Sequence, residues 1–168
     1  MSEKQKAVFK VMIRGTIEQV WHEITKRDEV QKCMFNMKLD STLEVGSKMF
    51  MRSNDGKYTS VVGEVLEFDP PNRYAHTFKF TNHDDPPCRV TYDLKTVGDQ
   101  VEFVMTTDQM EPGCKSTKQM MQGGTMIVET LKAMVETGKP PFKVRLLYGL
   151  FALLGPLTPK RCRSENWQ

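Results

Sequence analysis

The sequence predicts an α+β fold in which a strongly curved antiparallel sheet wraps around one long helix. Two observations carry this prediction. Residues 48–109 form a series of strand-like segments separated by turn signals, and residues 116–137 form a long amphipathic segment with helical spacing. A sheet with one apolar face must cover that face, and the long helix has the size and amphipathicity to do so. We predict one domain over residues 1–139 and a C-terminal extension over residues 140–168.

The N-terminal part predicts one strand followed by two short helices. Residues 7–14 (AVFKVMIR) read as the strand, which ends at Gly15. Thr16 then has the position of a helix cap, and Gln19 three residues later completes a capping box. A second cap at Asp28 predicts another short helix through about Asn36.

The middle of the chain changes to the period of two that is typical of strands. Turn signals rich in Gly, Pro, Asn and Asp divide it into five predicted strands, over residues 48–53, 58–68, 73–81, 89–97 and 101–109. The stop Asp69-Pro70-Pro71-Asn72 forbids both ladder pairing and helix continuation. The chain must therefore turn sharply between two long strands.

The long helix is predicted from Ser116 to Thr137, where apolar residues recur on one face. Gly138 and then Pro140-Pro141 end it. Because one helix gripped by a curved sheet leaves interior volume, we expect a cavity between the two.

Three stretches resemble the motifs of a known family. Residues 44–49 (EVGSKM), followed by Asp55-Gly56, and residues 63–73 (GEVLEFDPPNR) resemble the motif series of the family named for an activator of the heat-shock-protein ATPase. That family belongs to the START-like, birch-pollen-allergen-like (SRPBCC) superfamily with the helix-grip fold. The resemblance covers roughly residues 7–139. The resemblance implies the helix-grip fold but does not single out a function. Some members of the superfamily bind lipids or other apolar small molecules, and others act as cyclases or dehydratases.

The departures from the family pattern concern large rings. Relatives commonly carry a Gly-Trp pair entering the long helix, where this chain has Gly123-Gly124. Relatives often have a Trp pair where this chain has Cys33-Met34-Phe35, and a His where it has Thr106-Thr107-Asp108. The 12 Met residues either fill the core or make a widened pocket adaptable. We predict a ligand pocket lined by Tyr74, His76, Phe78, Tyr92, Met120, Gly124, Ile127 and Leu131.

Two titratable residues are candidates for acid–base chemistry. His76 alternates with Tyr74 and Phe78, so it faces the same side of its strand as these rings. It is either a functional group in the pocket or a core histidine bonded to the backbone. Glu64 alternates with apolar residues that point inward, but a one-residue bulge would exchange its role with that of Glu67.

Three functions follow from these patterns and the resemblance. The leading one is a non-catalytic binding module for a hydrophobic or amphipathic small molecule. The alternatives are an enzyme of cyclase or dehydratase type that uses His76 or Glu64, and a co-chaperone-like module with a chaperone partner, as the family name implies.

The C-terminal extension carries an apolar segment, residues 142–157, which predicts a helix. It is too short to span a bilayer, which needs roughly 20 residues. It can pack on its own domain with Leu147, Phe151 and Leu154 as a lid, form a homodimer, or contact an anionic membrane surface through its basic flanks. Packing on protein is the favoured expectation.

Other classes of function find little support in the sequence. The net charge of +3 is small, and the basic residues are mixed with acidic ones, which argues against nucleic acid. Three His without paired spacing argue against a zinc site, and no cofactor motif is present. His83-Asp84-Asp85 reads as turn chemistry. The sequence starts without a signal-peptide pattern, so we expect a cytoplasmic protein with reduced thiols.

Overall fold

The computed structural model describes residues 2–168, and within them it has seven strands and three α-helices. All strand pairs are antiparallel, in the order β1-β7-β6-β5-β4-β3-β2. The predicted fold class is confirmed. The strands are β1 (Gln5–Arg14), β2 (Lys38–Ser41), β3 (Lys48–Arg52), β4 (Thr59–Asp69), β5 (Arg73–Phe80), β6 (Cys88–Val97) and β7 (Gln100–Met110). The helices are α1 (Ile17–Thr25), α2 (Lys115–Thr137) and α3 (Phe142–Leu154), followed by short 3₁₀ turns at Gly155–Leu157, Lys160–Cys162 and Ser164–Asn166.

Helix α1 starts with the predicted capping box. The backbone N–H of Gln19 donates to the Thr16 hydroxyl oxygen at 3.2 Å, and the Thr16 N–H donates to the Gln19 side-chain oxygen at 2.9 Å. The capping box thereby satisfies two backbone N–H groups at the helix start. Val20 and Ile24 are buried, so this helix covers part of the sheet with its apolar face.

The prediction of a second short helix from Asp28 to Asn36 is wrong. These residues form turns, closed by a hydrogen bond from the Gln31 N–H to the Met37 carbonyl at 2.7 Å. Phe35 and Asn36 have φ of 54° and 60°. Two successive left-handed residues end any helical run. The chain leaves this loop (residues 28–37, the 28–37 loop) directly into β2, a four-residue edge strand that the sequence analysis did not predict.

Gly63, at the start of the GEVLEFDPPNR stretch, has no room for a side chain. A Cβ added there would lie 1.9 Å from the backbone carbonyl oxygen of Thr77 on β5. Nothing larger than glycine fits between the two strands at this point. Two residues later the ladder has a bulge between Val65 and Glu67, which bends the sheet.

Arg73, the last residue of the same stretch, joins three strands on the outer face of the sheet. Arg73 donates to Glu67 at 2.7 Å and to Asp93 at 2.6 Å, so one guanidinium joins β4, β5 and β6. The bond from Arg73 holds the pKa of Glu67 below its usual range. The β4–β5 turn that precedes Arg73 contains a cis peptide bond between Pro70 and Pro71.

Helix α3 forms as predicted but packs on the domain over a narrow contact. Val144 is its buried residue, and the Tyr148 hydroxyl donates to the Lys32 carbonyl in the 28–37 loop. Phe151 and Leu154 are about half exposed, at 45% and 46%. The expectation that they close a pocket as a lid is therefore wrong in this structure. Within residues 2–168, every helix is too short or too polar to cross a bilayer.

The segment after α3 returns to the domain and is well anchored. The Arg161 guanidinium donates to the Thr81 carbonyl at 2.8 Å and to Asp84 at 2.6 Å. Arg163 pairs with Tyr58 in an isolated antiparallel bridge. Cys162, which lies between Arg161 and Arg163 in the sequence, is buried. The residues after α3 therefore attach its C-terminal end to the sheet, whereas most side chains of α3 itself are not packed against the domain.

Candidate functional site

A continuous series of rings lies on the inner face of β5 and β6. Tyr74, His76 and Phe78 follow one another along β5, with centroid distances of 5.0 Å and then 6.3 Å. Tyr92 on β6 lies 5.6 Å from Tyr74 and 5.8 Å from His76. It also stacks on Phe103 of β7 at 5.8 Å. The structure thus brings together the four predicted site residues that lie on strands; we call Tyr74, His76, Phe78 and Tyr92 the ring cluster.

His76 is the most polar member of the ring cluster and is only 2% exposed. Its Nδ1 lies 2.8 Å from the backbone carbonyl oxygen of Thr77, so the neutral ring carries its proton there and donates it. Burial lowers the pKa of His76 to about 4, although the bond to Thr77 acts in the opposite direction. The imidazole is therefore neutral near pH 7, and Nε2 is left as a hydrogen-bond acceptor.

Two buried hydroxyls on the sheet face that carries His76 have no hydrogen-bond partner within the described residues: those of Tyr74 and Thr107. The strand register pairs His76 with Val90 and Val90 with Thr107, so Thr107 lies in the same cross-strand row as His76. Burial raises the pKa of Tyr74, which therefore keeps its proton. Thr107 was not a predicted site residue. Its only signal in the sequence was its position where relatives often have His.

The predicted site residues on α2 form a second group, over another part of the sheet. Helix α2 packs mainly on β1 and to a lesser extent on β7. Met120, Gly124 and Leu131 are buried, whereas Ile127 is half-buried and its neighbour Val128 takes the inner position. The α2 residues therefore lie mainly over β1 and β7, whereas the ring cluster lies on β5 and β6.

The space beside Gly124 is filled by a ring from β1. A Cβ added at Gly124 would lie 2.3 Å from ring atoms of Phe9, and one added at Gly123 would lie 3.6 Å from the Phe35 ring. The missing ring on α2 is thus replaced by rings that come from the sheet and the 28–37 loop. The expectation of a widened pocket at Gly124 is wrong for this reason.

Two clefts open on the surface away from these residues. One, of about 340 Å³, lies at the N-terminus of α2 and is lined by Gln5, Gly113, Cys114, Thr117, Lys118, Met121 and Gln122. The other, of about 460 Å³, lies where the tail meets the turn between β3 and β4, between Gly56 and Glu165. Neither includes a residue of the predicted pocket. We therefore expect a molecule that enters between α2 and the sheet to displace side chains.

Glu64 is exposed, so the expectation that it points into the apolar interior is wrong. Val61, Gly63 and Val65 take the inner side of β4, and the bulge after Val65 brings Phe68 inward without exchanging Glu64 for Glu67. Both carboxylates remain outside. Glu64 therefore cannot act as a buried acid or base here.

The His83-Asp84-Asp85 stretch has structural roles. Asp84 binds Arg161, and the Asp85 carboxylate accepts from the Ser116 N–H at 2.8 Å at the start of α2. His83 Nε2 lies 3.3 Å from the Gln119 side-chain oxygen. Across residues 2–168 no group of three or more His, Cys, Asp or Glu side chains is arranged to hold a metal ion.

Gly124 and Phe9 should be energetically coupled. We expect Gly124→Ala to lower the free energy of unfolding by about 1–3 kcal/mol, because the Phe9 ring must move. In a Phe9→Ala background the same change should instead raise stability by up to about 1 kcal/mol, because alanine favours helix and the space is vacant. A double-mutant cycle from urea unfolding measures this. Equal effects in the two backgrounds would contradict the packing described above.

The comparisons with known proteins agree with this architecture. A family model described as "Activator of Hsp90 ATPase homolog 1-like protein" matches residues 14–136, which is well over half of the chain. The chain belongs to this family. No protein of curated function matches the sequence.

Solved structures with the same fold come from several bacteria. The crystal structure of CalU16 from Micromonospora echinospora has a TM-score of 0.66 and 13% identity, over 93% of this chain and 90% of that one. Protein MLL2253 from Mesorhizobium loti has a TM-score of 0.66 and 19% identity, over 80% and 99%. The solution structure of the Aha1 dimer from Colwellia psychrerythraea has a TM-score of 0.65 and 17% identity, over 80% and 98%. At these identities the likeness shows the fold alone.

The match to CalU16 bears on the C-terminal extension. Because 93% of this chain is more than residues 1–139 supply, that match must reach into residues 140–168. Structures that match over 80% of the chain do not require the extension.

Proposed function

We propose that this family member is a non-catalytic binding module for a small amphipathic molecule, held against the ring cluster between the sheet and its covering helices. The observation that carries the proposal is the pair of unpartnered buried hydroxyls, Tyr74 and Thr107, on the same inner face as His76. A buried polar group without a partner costs about 1–3 kcal/mol. A ligand that binds there recovers this energy by completing the hydrogen bonds.

The chemistry of the three groups favours an uncharged ligand. The Tyr74 and Thr107 hydroxyls can donate, and His76 Nε2 can accept. The described surroundings of His76 are aromatic and apolar, and no ionised partner contributes to its pKa. Since a bare carboxylate or ammonium is costly to bury in such a place, the matching ligand has an apolar, preferably aromatic body and a neutral hydroxyl group.

The side chains that must yield to such a ligand are suited to movement. Met49, Met51, Met105, Met110 and Met120 are all buried in the core. Methionine has three rotatable bonds and a polarisable thioether, so it repacks at low cost around different shapes. We expect entry near Phe78 and Phe80, where the ring series is partly exposed.

The proposal assigns no acid–base step. A general base works best when its pKa lies near the working pH, and the pKa of His76 is held at about 4 by burial. Glu64, the other candidate, is exposed. Binding without turnover is therefore the function that these side chains support.

The test compares hydroxyl deletions that preserve size. With 2-naphthol as the probe, we expect Tyr74→Phe and Thr107→Val each to weaken binding about tenfold, the effect of one lost hydrogen bond. The same variants should be as stable as the parent or more stable by about 1 kcal/mol, because each removes an unpartnered buried hydroxyl. Calorimetric titration and urea unfolding supply the two measurements.

A matched control is available at Thr81, which is fully buried like Thr107 but donates to the Thr59 carbonyl at 2.6 Å. Thr81→Val should lower stability by about 1 kcal/mol and leave probe affinity unchanged. Naphthalene, which lacks the hydroxyl, should bind equally to the parent and to Tyr74→Phe. If both hydroxyl deletions bind 2-naphthol as well as the parent does, the ring cluster is not the binding site.

A further inference from the structure

Helix α3 exposes a continuous apolar stripe. Its members are Phe142, Leu146, Leu150, Leu153 and, in the following turn, Leu157, and they are between 51% and 79% exposed. Their spacing of four, four, three and four residues keeps them on one side of a helix. We call these five residues the α3 stripe.

The α3 stripe faces away from the domain. With 3.6 residues per turn, Val144 and Tyr148 lie roughly 180° around the helix from the centre of the stripe. These two residues make the contacts with the domain, by burial of Val144 and by the bond from Tyr148 to the Lys32 carbonyl. The helix is thus fixed on one side and presents large apolar side chains on the other.

The charge around the α3 stripe is of one sign. Residues 138–163 contain six basic residues and no acidic residue: Lys139, Lys143, Arg145, Lys160, Arg161 and Arg163. All six are exposed. Within the described residues, Lys139, Lys143, Arg145 and Lys160 form no ion pair, so their charges are available to a partner.

We propose that the α3 stripe docks on the surface of an anionic lipid bilayer. An interfacial helix of this kind inserts its apolar side chains at the boundary between headgroups and acyl chains, while flanking Lys and Arg bind anionic headgroups. At about 1.5 Å per residue, the 13 residues of α3 span about 20 Å, which suits a helix lying in the surface plane. This proposal does not depend on a ligand at the ring cluster.

A second copy of the chain fits the same surface less well. Both ends of the α3 stripe are basic, by Lys143 and Arg145 at one end and Lys160 at the other. Parallel or antiparallel pairing of two such helices would place cations beside cations with no acidic residue of α3 between them. Anionic headgroups are complementary to both ends, which favours the bilayer over a homodimer.

The experiment uses the full chain and vesicles of phosphatidylcholine with or without phosphatidylserine at about one part in three. We expect cosedimentation with the anionic vesicles, at least about tenfold stronger than with the neutral ones, and weakened about tenfold between 0.1 and 0.5 M NaCl. The double variant Leu150→Ser/Leu153→Ser should lose at least about tenfold in vesicle affinity. So should Lys143→Glu/Arg145→Glu.

Controls elsewhere on the surface separate the stripe from general stickiness. Val45 is 66% exposed outside α3, so Val45→Ser should bind vesicles like the parent. A Leu153→Trp reporter should shift its emission to the blue with anionic vesicles, and a Val45→Trp reporter should not. The proposal is overturned if binding is equal for neutral and anionic vesicles, or absent. It is also overturned if the stripe variants only dissociate a dimer in sedimentation velocity and leave vesicle binding unchanged.

Discussion

Replacement of Gly63 by alanine is expected to lower the free energy of unfolding by about 4 kcal/mol or to prevent folding altogether. The added Cβ would lie 1.9 Å from the Thr77 carbonyl oxygen. That atom belongs to the backbone of a central strand, so no side-chain rotation relieves the clash. The two strands would have to separate where they carry Val65 and His76, both of which are buried.

A matched glycine shows whether the effect is steric. Gly149 lies in helix α3, and an added Cβ there meets nothing within 4 Å. Gly149→Ala should therefore keep the fold and raise stability by up to about 1 kcal/mol, through helix propensity alone. Urea unfolding monitored by circular dichroism measures both variants. A Gly63→Ala protein as stable as the parent would contradict the close approach of β4 and β5.

Burial of His76 should make the protein lose stability in mild acid. The pKa of His76 in the folded protein is about 4, below the ordinary value of 6.5. Between these two pH values the unfolded chain binds a proton at His76 and the folded protein does not. The contribution of neutral His76 to the free energy of unfolding is therefore fully present above about pH 6.5. As the pH falls towards 4, the free energy of unfolding decreases by a total of about 3 kcal/mol. Unfolding free energies measured by urea titration between these limits follow the loss.

The variant His76→Phe isolates the contribution of this ring. It keeps an aromatic side chain but cannot titrate, so its stability should change less between about pH 6.5 and 5 than that of the parent. Below about pH 5 two carboxylates also contribute to the pH dependence of stability. Arg73 lowers the pKa of Glu67. The Arg14 backbone N–H and Lys132 lower the pKa of Glu136. Parallel curves for parent and variant in the upper window would contradict a buried, neutral His76.

Much of the fold could be predicted because its signals are local. The capping box at Thr16 and Gln19, the alternation in β5 and the αL glycine after α2 each depend on residues close in sequence. The second short helix was wrong because the left-handed conformations of Phe35 and Asn36 and the Gln31–Met37 hydrogen bond are set by packing of the 28–37 loop. Its composition carries no Gly or Pro that would have signalled them.

The candidate site was predictable on one strand and not across the domain. Alternation placed Tyr74, His76 and Phe78 on one face correctly, since that depends only on the period of the strand. The position of α2 over β1, and with it the Phe9 ring beside Gly124, depends on contacts more than 100 residues apart along the chain. Thr107 likewise enters the cross-strand row of His76 only through the β5–β6–β7 register.

The most direct test of ligand binding at the ring cluster is methyl NMR of the full chain labelled at its methionine methyl groups, titrated with 2-naphthol. Met105 is buried in the same cross-strand row as Tyr74 and Tyr92, whereas Met121 is 47% exposed on the far side of α2 and serves as the internal control. Substitution of each methionine by leucine assigns its signal. We predict a saturable shift of the Met105 signal that is weakened by Tyr74→Phe, with Met121 unchanged. A Met105 signal that stays in place while the probe binds elsewhere, or a shift confined to Met121, would contradict the account.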